Sequence, residues 1–353
     1  MEPRGTQSRR EKRWPAVPLA VLLLTLSVPS QGAQTSRDAM TIHPARRTHL
    51  IDQPLGKLKW DKNGYLIHYQ RGAHPQPLIG LYTADGEVVS QLSPASHLTG
   101  VRRMTIKDVA VTKSGALVVA AVVRSTNGAL ASALLEFDMK GVLRRVIKMD
   151  PFTPDRIALD ADDNIWILGY DWQRLGKNDD WALVRKLSLD GRVLTSTLVR
   201  SAFPKEGDPL DVSGPGIGAS DKYFESVGDK VYAWLPGVNH LVVLALDGRV
   251  LRSVNRPFDG LFEKGAQFLE IHALVFLPGD RVVVQAANLG RGIVLGYGWF
   301  LSTDLGRTWS SVRHRFDDPW AYSLIGVTRS KEAIFLRLVG PDAGILELCP
   351  VAF

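Results

Sequence analysis

The sequence contains little cysteine, no long apolar run beyond its first 33 residues and no sustained helical spacing of apolar residues. Cys349 is the only cysteine among 353 residues, which excludes an internal disulfide. After residue 33, no segment approaches the roughly 20 apolar residues of a membrane-spanning helix. We therefore expect a protein held together by its core alone, with Cys349 packed as a small apolar residue in the last strand.

The motifs of several enzyme and cofactor classes are also missing. The chain has no H-E-x-x-H, no C-x-x-C, no P-loop and no G-x-S-x-G. The net charge of +7 is too small to predict a nucleic-acid partner. Carboxylates alternate over residues 160–164, but an EF-hand would require glycine where Ile165 stands. We predict no metal ion, no other cofactor and no nucleic acid.

The first 33 residues have the layout of an export signal. A basic segment at residues 4–13 precedes 15 apolar residues at 14–28, and small residues suited to cleavage follow at 30–33. The apolar run is too short for an ordinary membrane-spanning helix. The pattern predicts a signal peptide over 1–33 and a secreted or periplasmic protein with no membrane span after the signal is removed.

Turns recur along the rest of the chain at a nearly constant spacing. A first series of polar turns separates apolar runs, with steps of 51, 49, 65, 51 and 51 residues, and begins at Asn63, Ser114, Asp163, Gly228, Gly279 and Ser330. A second series of glycine-containing hairpin turns follows about 20 to 27 residues later. Four strands in about 50 residues, repeated about six times, are typical of propeller blades. We predict an all-β fold, a six-bladed β-propeller as a single domain over residues 34–353, with strands a to d running outward in each blade.

The last repeat lacks one strand. After the turn at Ser330, the chain supplies only two more apolar runs before residue 353. The segment Thr48–Asp52, upstream of the first blade, is placed to become the missing outer strand and to cover an open sheet edge. We therefore expect an N-terminal strand to close the ring. The alternative is a leader that joins no sheet.

Two stretches resemble known propeller families. The first turn series resembles NHL-type repeats, most clearly at residues 157–170 (IALDADDNIWILGY). Residues 302–309 (STDLGRTW) match S-x-D-x-G-x-T-W, the Asp-box of sialidase-like (BNR-like) propellers. The resemblance implies a hairpin between strands c and d, in which Asp304 accepts hydrogen bonds from the turn and Trp309 packs beneath it. It implies no activity, since there is one box and no F/Y-R-I-P stretch.

The lengths of the loops predict where a ligand binds. The a–b and c–d turns share one face of a propeller, here called the short-turn face. The b–c loops and d–a connections share the opposite face, the long-loop face, and carry the long insertions on which function usually depends. Strand a enters the sheet from the long-loop face, and the loop after Tyr170 adds aromatic rings. The candidate ligand-binding residues are Asp108, Arg156, Tyr170, Trp172, Trp181, Glu225, His272, Trp320 and Tyr322.

Two kinds of function fit these residues. Aromatic rings beside a few charges suit a protein segment or a small polar ligand, which favours an exported binding module. The alternative is a hydrolase or lyase acting on sugars or lactones, as gluconolactonase-like propellers do, with channel carboxylates such as Asp108 and Glu225 or a metal. Two carboxylates converging in an open channel would favour the enzyme. The sequence leaves open whether the protein is an enzyme, and it names no catalytic residue.

Overall fold

The computed structural model describes the part of the chain that carries the repeated turns. All of the described residues belong to one unit, Ser36–Phe353. The predicted signal peptide and the turn at Ser330 lie outside the described residues. In the described part of the chain, no helix is long and apolar enough to cross a membrane. The described residues are 41–42, 46–52, 56–70, 72–174, 180–204, 207–214, 216–219, 221–262, 266–291, 293–314, 316, 318–328, 332–338 and 343–352.

Strands make up most of this region. Short 3-10 helices occur at Pro94–His97, Arg200–Ala202, Pro236–Val238 and Pro319–Ala321. The strands are, in chain order, β1 (Thr41–Ile42), β2 (Arg46–Asp52), β3 (Gly56–Trp60), β4 (Leu66–Gln70), β5 (Ala73–His74), β6 (Ile79–Tyr82), β7 (Val88–Leu92), β8 (Val101–Val111), β9 (Leu117–Ser125), β10 (Leu130–Phe137), β11 (Leu143–Lys148), β12 (Phe152–Leu159), β13 (Ile165–Asp171), β14 (Ala182–Leu187), β15 (Val193–Val199), β16 (Ser213–Gly214), β17 (Ile217–Ala219), β18 (Tyr223–Val227), β19 (Lys230–Leu235), β20 (His240–Ala245), β21 (Val250–Asn255), β22 (Phe268–Leu277), β23 (Arg281–Gly290), β24 (Ile293–Ser302), β25 (Ser310–Ser311), β26 (Arg313–His314), β27 (Tyr322–Val327), β28 (Glu332–Leu338) and β29 (Ala343–Ala352).

The described strands form six sheets, numbered I to VI by the chain position of their innermost strand. In each sheet the innermost strand and the next two strands outward pair antiparallel, and the innermost strands are β3, β8, β12, β18, β22 and β27. Sheet I holds β3, β4, β6 and β7; sheet II holds β5 and β8–β11; sheet III holds β12–β15. Sheet IV holds β18–β21, sheet V holds β16, β17 and β22–β25, and sheet VI holds β1, β2 and β26–β29. The prediction of an all-β propeller fold is confirmed.

The N-terminal strands belong to the last sheet. Strand β2 pairs antiparallel with β29, with Arg46 opposite Leu348 and Asp52 opposite Ala343. Strand β1 also pairs with β29 and lies parallel to β26. Cys349 lies in β29, opposite Ala333 of β28.

The 65-residue step between the third and fourth turns contains added structure. The sequence predicts a long connection here, but the chain forms the small hairpin of β16 and β17, and β17 pairs parallel with β22 of sheet V. The hairpin turns at Gly216, whose φ of +73° favours glycine. Gly214 lies close to the backbone of Pro236, because an added Cβ would lie 2.6 Å from the carbonyl oxygen of Pro236. The connection therefore extends sheet V.

Apolar side chains fill the space between consecutive sheets. Five clusters join sheets I–II, II–III, III–IV, IV–V and V–VI, and a smaller sixth cluster joins VI to I through Leu66, Tyr82 and Ile334. The fully buried indoles of Trp166, Trp234 and Trp299 are among the largest core side chains. Each sheet thus buries both of its faces against neighbours, as blades without cores of their own require.

Polar contacts between sheets repeat at about the same interval as the turns. Asp108, which is fully buried, accepts a hydrogen bond from Lys59 Nζ at 3.0 Å and another from the backbone N–H of Ile157 at 2.9 Å. These partners lie 49 residues before and 49 residues after it. One carboxylate therefore connects the innermost strands of sheets I, II and III.

Replacing Asp108 with alanine should destabilise the protein by about 3 kcal/mol or more, because it leaves a partly buried ammonium and a buried N–H without their acceptor. Urea unfolding at neutral pH measures the loss. The matched control is Asp259→Ala, which breaks the exposed pair with Arg256 (2.8 Å) and should change stability by less than about 1 kcal/mol. Equal losses in the two variants would contradict the role given to Asp108.

Candidate functional site

Two cavities lie along the axis of the propeller. The mouth cavity, of about 410 Å³, is lined by the beginnings of the innermost strands on the long-loop side. The turn cavity, of about 480 Å³, is lined by the ends of the same strands and their turns. Side chains of the middle of the channel, including Lys59, Phe224 and Glu225, line both. The mouth cavity lies at the end of the channel where the sequence analysis expected a ligand.

Four of the predicted residues meet in the mouth cavity, namely Asp108, Arg156, Glu225 and His272. Each comes from a different innermost strand, β8, β12, β18 or β22. The strands start at the long-loop face and converge on the axis, so residues far apart in the sequence become neighbours. The mouth cavity therefore forms only where strands of several sheets come together.

Arg156 lies at the centre of a hydrogen-bonded network. Its guanidinium contacts Asp221 and donates to the carbonyl oxygens of Lys107 (3.2 Å) and Lys222 (3.3 Å). Burial alone would lower the pKa of Arg156, but the carboxylates of Asp221, Asp108 and Asp155 outweigh it and raise that pKa. Arg156 is thus a fixed positive charge held by three sheets.

Other lysines extend the network around the mouth. Lys222 Nζ lies 2.7 Å from Asp155, Lys107 Nζ lies 3.6 Å from the same carboxylate, and Lys57 contacts Asp221. Burial and the charge of Arg156 lower the pKa of Lys57 to about 8 although Asp221 opposes them. With Arg156 and the Lys59–Asp108 pair included, five cations face three aspartates in this network. The mouth carries an excess of positive charge.

Glu225 is the carboxyl group that faces the middle of the channel. It is half-buried and lines both cavities. Burial raises its pKa to about 7, although Lys59 and a hydrogen bond from the backbone N–H of Phe276 favour the charged form. Glu225 therefore changes its protonation state near neutral pH, as a general acid or base would.

His272 is held on the opposite strand of the mouth. Its backbone oxygen accepts a hydrogen bond from Tyr223 Oη at 2.9 Å, and its ring lies 6.0 Å from that of Tyr297. Burial lowers the pKa of His272, and Glu270 only partly offsets this effect. The imidazole is therefore neutral at neutral pH and adds no further charge to the mouth.

The predicted aromatic residues take different positions. Tyr322 is buried and stacks on Phe316 with ring centres 4.0 Å apart, inside the core between sheets V and VI. Trp181 is also buried, in the core between sheets III and IV. Both rings are used for packing, because Trp181 directly precedes β14 and Tyr322 is the first residue of β27. Trp320, in contrast, is half exposed and stacks on Tyr297 at 3.7 Å.

The loop of sheet III is only partly described. Tyr170 is half-buried, and burial raises the pKa of its hydroxyl. Trp172 is half exposed. Lys177, in the same predicted loop, lies outside the described residues. Neither Tyr170 nor Trp172 lines the mouth cavity.

Lys57 and Lys222 line the mouth cavity but were not among the predicted residues. Lys57, Asp108 and Lys222 each lie six residues before an a–b turn, so a comparison by turn register would have placed all three at one level of the channel. Asp155 directly precedes Arg156, and Asp221 directly precedes Lys222. Neither aspartate lies at the spacing from a turn that Lys57, Asp108 and Lys222 share. Within the described ranges, no group of three or more His, Cys, Asp or Glu side chains could hold a metal ion.

Comparisons with known proteins give fold-level likenesses. No protein-family model matches this chain, and no curated protein matches it significantly. A solved protein of unknown function from Bacteroides caccae is 14% identical over 77% of this chain and 80% of that chain, with a TM-score of 0.41. A luciferin-regenerating enzyme is 11% identical over 75% and 83%, with a TM-score of 0.41. YCF48 bound to a D1 peptide is 11% identical over 85% and 94%, with a TM-score of 0.40.

The raised pKa of Glu225 predicts a stability change with pH. The folded protein holds this proton up to about pH 7, whereas an unfolded glutamate releases it near pH 4.5, so stability falls as pH rises through this window. Between about pH 5 and pH 8 the free energy of unfolding of the wild type should fall by on the order of 2 kcal/mol because of this group. Glu225→Gln should not show that fall. Urea unfolding at both pH values measures the difference.

The control for that comparison is Glu87→Gln, which changes an exposed glutamate. Its free energy of unfolding should change between the two pH values by the same amount as that of the wild type. If Glu225→Gln also follows the wild type, the carboxyl group is not desolvated in the channel.

Proposed function

We propose that this chain is an exported six-bladed β-propeller, closed by its N-terminal strand, that binds a ligand on its long-loop face. Export rests on the pattern of residues 1–33. Six blades are supported by the six sheets and by the apolar clusters that connect them in cyclic order. Closure is supported by the pairing of β2 with β29. Residues 34–353 form the single propeller domain of this proposal.

The contacts of residues 302–309 support an Asp-box hairpin next to NHL-like repeats. Asp304 accepts hydrogen bonds from the backbone N–H of Thr308 at 2.9 Å and from its hydroxyl at 2.8 Å. Trp309 Nε1 donates to the carbonyl oxygen of Pro257 at 2.9 Å, and its ring lies 5.7 Å from that of Phe258. These contacts tie a hairpin to the neighbouring sheet, which is a structural role.

The ligand of the mouth cavity carries a negative group. The observation that carries this proposal is the excess of cations over aspartates around Arg156, since a desolvated site of one net sign attracts the opposite charge. Lys57 and Lys222 line the cavity, and the half-exposed Trp320 offers an aromatic surface near the same end. A protein segment with a free carboxylate and a small polar acid both have this chemistry.

A thermal unfolding screen tests the proposal with matched acidic and neutral probes. Glucuronate and a short peptide with a free C-terminus should raise the melting temperature, whereas glucose and the peptide amide should not, because only a ligand bound to the folded state stabilises it. Lys222→Ala should weaken acid binding by roughly tenfold. The control Lys113→Ala removes an exposed lysine from the short-turn face and should leave binding unchanged.

Equal shifts by acidic and neutral probes would contradict the predicted charge preference. If Lys222→Ala and Lys113→Ala weaken acid binding equally, the ligand does not bind in the mouth cavity. If no probe changes the melting temperature, the protein does not bind these classes of ligand, and the proposed function is wrong.

An enzyme acting on sugars or lactones is the second candidate, and the pKa of Glu225 favours it. A carboxyl group that titrates near pH 7 suits proton transfer, but the other carboxylates of the mouth are paired with cations. We expect hydrolysis of gluconolactone to be no faster with the wild type than with Glu225→Gln. A wild-type rate at least tenfold higher would make the protein an enzyme.

A further inference from the structure

The turn cavity lies at the end of the channel where the sequence predicted only short connections. It is larger than the mouth cavity, at about 480 Å³, and falls in the size range of small-molecule sites. Its walls come from five of the innermost strands and the turns that follow them, and β8 contributes Ala110. The acid site proposed above depends on the opposite ends of the same strands, although Lys59 and Glu225 line both cavities.

Aromatic and aliphatic side chains form much of the wall. Phe224 and Phe276 are buried around the cavity, and Phe276 stacks on Tyr232 with ring centres 4.8 Å apart. Trp60 faces the cavity from sheet I. Gly326 leaves room for it, because a Cβ at that position would lie 2.5 Å from the Cβ of Trp60. The wall is therefore largely apolar, and the half-buried Trp60 is the aromatic residue on it that keeps surface for a flat ligand.

Cations stand at the edge of this apolar wall. Lys62 Nζ donates to the carbonyl oxygens of Leu159 (2.5 Å) and Asp160 (2.7 Å), which holds its charge against β12. Arg281 lines the cavity from β23, and its Nε donates to the carbonyl oxygen of Pro278 at 3.0 Å. Lys59 reaches the cavity from the channel. Three positively charged side chains thus meet a largely apolar surface.

The carboxyl groups of the cavity offset these cations only in part. Asp61 accepts backbone N–H groups from Asn63 at 2.8 Å and Val111 at 3.3 Å, which directs its oxygens into the turn and the next sheet. Glu225, the other carboxyl group on the wall, is largely protonated below about pH 7. Burial also lowers the pKa of Lys62, so its charged form would be stabilised by a bound anion.

We propose that the turn cavity is a second binding site, for a small aromatic anion. The rings of the ligand would contact Trp60 and the apolar wall around it, and its negative group would face Lys62 and Arg281. A neutral molecule of the same shape would gain the apolar contacts alone and bind more weakly.

Two dyes of nearly the same shape test the charge preference. The anion is 8-anilinonaphthalene-1-sulfonate, and its neutral counterpart is N-phenyl-1-naphthylamine, which lacks the sulfonate. In fluorescence titrations of the folded protein near pH 6.5, the anion should bind at least about tenfold more tightly. Lys62→Ala should remove most of that difference, whereas Lys113→Ala, at the adjacent turn, should preserve it.

Two matched serine variants test the location. Ser226 lines the turn cavity and Ser323 lines the mouth cavity, and both lie on innermost strands. Ser226→Phe should abolish binding of the anionic dye, and Ser323→Phe should leave it intact. Each variant is compared with the wild type by urea unfolding, so that dye bound to a loosened chain is recognised.

Several results would overturn the inference. Loss of dye binding in Ser323→Phe but not in Ser226→Phe would assign the dye to the mouth. Equal affinity for the two dyes, or no binding of either to the wild type, would contradict a site for an aromatic anion in the turn cavity. Failure of the acid screen at the mouth leaves these outcomes unaffected, because the dye experiment reports on the other cavity.

Discussion

Packing of each sheet against the next is the constraint on which the rest of the structure depends. No sheet has a core of its own, so the apolar faces are buried only when every sheet has two neighbours. The sixth cluster, between sheets VI and I, has the fewest buried members among the described residues. There the contact of Trp60 with Gly326 brings the innermost strands of the first and last sheets together. A side chain in place of Gly326 would push the innermost strands of sheets VI and I apart.

The same packing explains why the channel is charged. The innermost strands bury their side chains between sheets, and the residues that point to the axis have no apolar partner of that kind. Asp108 uses its oxygens to connect three sheets, and Arg156 does the same with carbonyl groups. A network that first serves to hold strands together also leaves an excess of positive charge in a partly desolvated space. The charge on which the proposed binding depends is therefore a consequence of how the sheets are connected.

The sequence predicted the fold better than the site, and the reason is physical. Turns depend on local chemistry, so glycine and aspartate at about 50-residue intervals marked the strands, and the predicted start of β2 at Thr48 came within two residues of the observed strand. A site depends on which side chains converge, and this follows from strand tilt and register. Trp181 was predicted as a ligand contact from its place in a long loop and Tyr322 from its place at the start of strand a, yet both fill the core. Lys57 and Lys222, which line the mouth, belong to no recognised motif, and only their spacing from the a–b turns could have indicated them.

Glu225 and Lys59 line both cavities, which connects the two proposed sites electrostatically. A bound anion in either cavity disfavours the charged form of a nearby carboxyl group, so it would raise the pKa of Glu225 further and bind together with a proton. Once protonated, Glu225 no longer opposes an anion in the other cavity. The two sites should therefore assist each other where Glu225 is still ionised, near and above pH 7, and become independent when it is already neutral. This coupling requires no movement of the backbone, because one carboxyl group in the middle of a rigid channel is sufficient to transmit it.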